Sequence, residues 1–171
     1  MPSGKVHDSI ALISIFPAFL AGKYILKLDF TGIIIFTLAV IFSQLMFGPD
    51  LDNKSIQYKR WGIFRWIWWP YSKIFSHRSS FSHGIILGPA IRIIYLIFNL
   101  FLIFIILDFL IYKYFNISLY SLIIPCLYNL YILINQNNII VYLAVIIAGT
   151  FVGASIHTFT DKISSFFKNI L

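Results

Sequence analysis

The sequence predicts an all-α protein: an integral membrane bundle of about four long helices joined by an amphipathic interfacial segment. Two observations predict it. Of the 171 residues, 60% are hydrophobic and only 11% charged, too little polar surface for a water-soluble globule and the opposite of a disordered chain. The apolar residues also gather in long runs, and about 20 of them at 1.5 Å each cross about 30 Å of hydrocarbon. The chain, 1–171, reads as a single domain.

Four runs qualify as spans, at about 8–26, 31–47, 84–112 and 138–157. Pro17 predicts a kink in the first. Lys5 ahead of an apolar stretch with Ala18 and Ala21 also fits a cleaved signal peptide. The span is the preferred reading, because cleavage would discard the His7-Asp8 pair. Between the second and third runs, residues 48–83 hold all four tryptophans, interleaved with Tyr58, Tyr71, Lys59, Arg60, Arg65 and Lys73. Trp and Tyr favour headgroup depth and Lys and Arg stems snorkel outward, so this stretch is expected along a membrane surface. Such a mixture can also stack on single-stranded nucleic acid, but it adjoins membrane spans. No nucleic-acid partner is therefore expected, and the net charge of +7 is read as affinity for anionic membrane lipids. No protein partner is indicated.

Residues 114–137 are apolar in the middle but carry Pro125, Asn129, Asn135 and Gln136. They are expected to be peripheral or re-entrant, since a full crossing by 117–134 would put His157 on the opposite side from His83. With that arrangement Lys5, Lys54, Lys59, Arg60, Arg65, Lys73, Arg78, Lys162 and Lys168 share the side of the histidines, against Lys23, Lys27 and Lys113. The positive-inside rule then turns the polar motifs to the cytoplasm, at an inner (plasma) membrane.

Cys126 is the single cysteine, so neither an internal disulfide nor a thiolate zinc site can form, and any metal site must use His and Asp. Polar residues concentrate in four islands: Ser3 to Asp8, Gly48 to Asp52, Ser76 to Gly84 and His157 to Asp161. Each is expected at a helix end. In the last, a spacing of four puts His157 and Asp161 on one helical face. Both can then ligate one ion, or Asp161 can accept the spare imidazole N–H of His157. Asp50 and Asp52 flank Leu51 after a Gly-Pro turn, and a divalent ion would relieve the repulsion of such carboxylates. Ser82 is expected to cap the third long helix, with His83 at its start.

His7, Asp50, Asp52, His83, His157 and Asp161 are thus the candidate metal ligands. They suffice for one octahedral ion or for two sharing a bridging Asp, and nitrogen and oxygen donors without thiolate suit Zn, Mn or Fe(II). Asp8 is assigned as a further bridge or a base, and His77 and Arg78 as substrate contacts. Each motif alone also fits a helix cap, an Asx turn or a surface ion pair; their convergence on one side argues for a site. Arg92 and Asp108, at depths where a charge is costly, each call for a partner.

The islands SGKVHD, GPDLDNKS, YKRWGIFRWIWWPY, HRSSFSHG and GASIHTFTD, in this order, resemble a prokaryotic family of uncharacterised membrane proteins described as metal-binding. That family is similar to predicted membrane-bound metal-dependent hydrolases with PDLD, HR-x-x-x-SH and H-x-x-x-D motifs. The resemblance covers roughly 1–95 and 148–165. It implies that His7, Asp50, Asp52, His77, His83, His157 and Asp161 form the metal or catalytic set. The function expected is a metal-dependent hydrolase acting on a phosphoester or ester, lipid-borne by its location, at the cytoplasmic membrane face. The alternative is a non-catalytic metal-binding or metal-handling membrane protein.

Overall fold

The computed structural model describes residues 4–77, 79–136 and 138–170, and among them every regular element is helical. Pro17 lacks an N–H and its ring crowds the carbonyl four residues back, so the first segment is not one helix. Helix α1 (Gly4–Ile13) stops there, and α2 (Ile15–Leu20) runs on into a wider π turn at Ala21–Ile25. The expected kink thus falls at Ile13 and Ser14. Lys27 reverses the chain with a left-handed φ of 51°. Asp29 then caps α3 (Phe30–Leu45), its carboxylate accepting from the Gly32 N–H.

Helix α3 packs along α9 (Ile139–Ile170), and small residues set how closely. A Cβ at Gly149 would meet the Ala39 side chain at 2.7 Å and the Phe36 carbonyl at 2.8 Å, and one at Gly153 would strike the Val40 carbonyl. Such close approach is what small residues four apart allow between apolar helices. Ser43 Oγ adds a buried 2.7 Å bond to the Thr150 carbonyl.

Residues 48–83 fold into a compact cap: a 3-10 turn at Pro49–Asp52, α4 (Ile56–Arg60), a 3-10 stretch at Gly62–Ile67, α5 (Trp68–Ile74) and α6 (Ser80–His83). The carbonyls at the C-terminus of α3 have no helical partner, and the cap supplies them. Gln57 Nε2 donates to Gln44 at 2.6 Å, Arg60 Nη1 to Leu45 at 3.0 Å and Trp61 Nε1 to Met46 at 2.8 Å. The expected surface belt therefore has two faces. Trp68 and Tyr71 are fully buried with Phe47, Leu51, Tyr58 and Ile67, whereas Trp66, Trp69, Ile63 and Phe64 are exposed.

Two expected boundaries shift. The third long helix, α7 (Leu87–Phe115), begins after Gly84 leaves α6 in extended conformation, and Pro89 sits in its first turn, where a missing N–H is harmless. The cap of α6 is Ser79, not Ser82, and Ser82 lies inside that helix. At the other boundary α9 does not end near residue 157 but continues to Ile170, which puts His157 in a helix interior.

Helix α8 (Leu119–Gln136) starts where Asp108 accepts from Ser118 Oγ and the Tyr120 N–H. It ends close to the start of α9, where Tyr142 donates to Asp29 at the head of α3. Both ends of α8 therefore lie at the end of the bundle away from the cap, and α9 returns His157 to the cap. Among the described residues, 4 helical stretches are long and apolar enough to cross a membrane: Val6–Ile25, Phe30–Asp52, Leu87–Phe115 and Ile139–Phe167.

Candidate metal centre

Four elements bring one donor set together. His7 comes from α1, Asp50 from the 3-10 turn after α3, His83 from the end of α6, and His157 and Asp161 from successive turns of α9. His7 Nε2 lies 3.3 Å from Asp161 Oδ1, and His157 Nε2 lies 3.4 Å from Asp50 Oδ2 and 3.6 Å from Asp161 Oδ2. His83 Nε2 is 3.8 Å from both Asp50 Oδ1 and Asp161 Oδ2. His157 and Asp161 thus aim at the same space, so Asp161 does not sit on the outer nitrogen of that ring.

These separations decide what the cluster is for. A charge-assisted hydrogen bond between imidazole and carboxylate closes to about 2.7–2.9 Å, and here Asp50 Oδ1, His83 Nε2, His157 Nε2 and both oxygens of Asp161 are buried without any hydrogen-bond partner. Leaving such atoms unpaired is costly. Ligands held at about 2.0–2.2 Å by a tetrahedral ion stand about 3.3–3.6 Å from one another; three of the separations here fall in that range and the two of His83, at 3.8 Å, lie just beyond it. The residues present therefore fit a metal ion held by imidazole and carboxylate.

Asp52, expected among the ligands, faces the outer side of the histidines. Its Oδ1 is 2.7 Å from His77 Nδ1 and its Oδ2 is 3.4 Å from His83 Nδ1. A carboxylate only accepts, so Nδ1 of His77 carries the proton and Nε2 is the nitrogen left for chemistry. Ser82 Oγ, rather than capping a helix, sits 3.0 Å from His83 Nδ1. Burial works against the His83 imidazolium, yet the carboxylates of Asp50 and Asp52 outweigh it and hold that ring at a pKa of about 9. Arg92, almost fully buried, reaches back along α7 to donate to the Ser82 carbonyl at 2.7 Å and so fixes the residue before His83.

Asp8 is turned away from the cluster into a 2.6 Å ion pair with Arg60. Both line a cavity of about 290 Å³ together with His7, Asp50, His77, His157, Lys54 and Lys59. Arg78 lies outside the described residues. Gln57 is the residue that sequence reasoning missed: its amide nitrogen donates to the Gln44 carbonyl and stands 3.2 Å from His157 Nδ1, beside that ring. The one signal in the sequence was a neutral polar residue between Ile56 and Tyr58, four places before Trp61, in a segment read as interfacial.

Neither curated proteins nor solved structures give a match to this chain. A family model does match, over residues 2–171, and so includes the stretch 114–137 that carried no recognisable motif. With a buried His and Asp set at ligand spacing, the chain belongs to the family described as uncharacterized metal-binding protein (DUF2227).

Proposed function

We propose that the protein is an integral membrane hydrolase that holds divalent metal with His7, Asp50, His83, His157 and Asp161 and cleaves a phosphoester or ester carried by a lipid. The observation that carries this reading is the set of buried, unpaired ligand atoms on Asp50, His83, His157 and Asp161, of which Asp50 and His157 also line an open cavity. A divalent ion held there acts as a Lewis acid toward a phosphoryl or acyl oxygen and makes water a competent nucleophile at neutral pH. The chain supplies the rest. Lys54 and Lys59 at the cavity draw in an anionic group. His77, its Nδ1–H held by Asp52, takes the proton of the attacking water at Nε2 and passes it to the departing oxygen. Arg60, bound to Asp8 and to the Leu45 carbonyl, keeps the wall in place.

The lipid assignment rests on location. Exposed Trp66 and Trp69 beside Arg65 and Lys73 favour a cap at headgroup depth. Among the described residues, 4 apolar stretches are long enough to cross a bilayer. The PDLD, HR-x-x-x-SH and H-x-x-x-D motifs, which resemble those of predicted membrane-bound metal-dependent hydrolases, point to the same reaction class.

The test is elemental analysis of the detergent-purified protein, followed by release of phosphate or fatty acid from vesicles of mixed bacterial lipids. The expected result is bound divalent metal, turnover that a chelator abolishes, and loss of both in a His83→Ala, Asp50→Ala double variant. Metal without turnover would leave a non-catalytic metal-binding protein, and equal metal in the variant and the parent would remove the centre.

A further inference from the structure

The rings of His7 and His157 are stacked, with centroids 3.9 Å apart and planes only 7° from parallel. An imidazole binds a cation in its own plane, along the Nε2 lone pair. Two parallel planes do not share a point within bonding reach, and an ion midway would stand roughly 1.7–2 Å off both, nearly a whole metal–nitrogen bond of about 2.1 Å. His7, His157 and Asp161 have ligand atoms within 4.8 Å of one another, yet this trio is not the ligand set of a single ion.

The carboxylate between the rings has the matching division. Asp161 Oδ1 faces His7 at 3.3 Å, whereas Oδ2 faces His157 at 3.6 Å and His83 at 3.8 Å. Neither oxygen has a hydrogen-bond partner, and the residue is 5% exposed. We propose that the site holds two divalent ions, with Asp161 bridging them through its two oxygens. This inference rests on the metal-binding part of the function proposed above.

The two positions differ in how far the protein completes them. Asp50 and Asp161 Oδ2 each face both His83 Nε2 and His157 Nε2, at 3.4–3.8 Å, and Asp50 and His83 also have ligand atoms within 4.8 Å of a His77 nitrogen, so this position is offered at least four donors. His7 Nε2 and Asp161 Oδ1 give the second ion two protein donors, and His7 lines the cavity. A structural site closes its coordination with protein, whereas a catalytic one keeps positions for water and substrate. The His7 position is the open one. His7 is therefore the residue whose loss should remove one ion and leave the other.

The experiment is to strip the full-length, detergent-purified protein with a chelator, titrate it with Mn(II), count bound ions per chain and record the EPR spectrum. The proposal expects two ions per wild-type chain with the broadened spectrum of a carboxylate-bridged, exchange-coupled pair. His7→Gln should retain one ion with the sharp spectrum of isolated Mn(II) and keep a cooperative thermal transition. The wild-type spectrum alone decides the question should His7→Gln fail to fold. One ion per wild-type chain, or two in His7→Gln, overturns the bridged pair while leaving the metal centre standing. No bound ion in any form overturns this inference and the hydrolase together.

Discussion

His83 is held at Nδ1 by Ser82 at 3.0 Å and Asp52 at 3.4 Å, while its Nε2 faces the carboxylates of Asp50 and Asp161 at 3.8 Å without a hydrogen bond. Its pKa is raised from 6.5 to about 9 in the metal-free fold. A raised folded-state pKa stabilises fully below the unfolded value and loses that contribution as pH climbs through the folded one. The metal-free protein should therefore melt at a falling temperature between about pH 6.5 and 9. Metal needs the neutral imidazole, so the metal-loaded protein should not share that fall, and thermal melts across this range with and without chelator check both trends. Asp52 acts one step further out. Asp52→Asn leaves every Nε2 donor in place but removes the charge that fixes His77 and His83, so metal affinity should drop about 10–100-fold with the number of bound ions unchanged. Competition with a fluorescent chelator reads that affinity. The candidate ligands were legible in the sequence because four His and six acids stand out in a chain that is 60% hydrophobic. The outward aim of Asp52 and the placement of Gln57 beside His157 were not, since spacing says which face a residue occupies and not which neighbour meets it.

At the scale of the element, α9 carries Gly149, Gly153, His157 and Asp161 at steps of four, a stripe that drifts about 40° around the helix at each step. Its first half lets α9 touch the backbone of α3, and its second half delivers two ligands where α3 ends. The helix contact and the metal centre are consequently one construction. A methyl at Gly153 would meet the Ser43 side chain at 2.8 Å and come closer still to the Val40 carbonyl, and helix backbone yields little. Gly153→Ala should destabilise the protein by about 1–3 kcal/mol, the usual cost of overpacking, and lower metal occupancy although no ligand is altered. Thermal unfolding with metal analysis on the same sample tests it, and unchanged occupancy would separate the contact from the centre. The apolar runs that form the long helices could be read from composition, as could the break that Pro17 forces. The end of the last helix could not: polarity rises after residue 157, but that rise marks residues turned toward the site and the continuing helix to Ile170.

At the scale of the molecule, the site exists because an even number of passes separates His83 from His157. Helix α7 carries the chain away from the cap, α8 begins against Asp108 and ends near α9, and α9 comes back. The sequence allowed this argument only in reverse, from the assumption that the histidines meet, since 18 helical residues with an apolar centre read equally as a short span. Charge follows the same division. Lys54, Lys59, Arg60, Arg65 and Lys73 lie in the cap, whereas Lys23, Lys27 and Lys113 lie in the turns and helix end remote from it. For such a division the positive-inside rule predicts, and we propose, a cap on the cytoplasmic side of a bilayer. Single cysteines introduced into a Cys126→Ser background test this directly. Lys113→Cys should react with a membrane-impermeant maleimide added to intact cells, and Lys54→Cys only after the cells are opened. The opposite pattern would turn the site outward and move its substrate to the other leaflet. Labelling of both positions from one side would break the pass count on which the meeting of His83 and His157 depends.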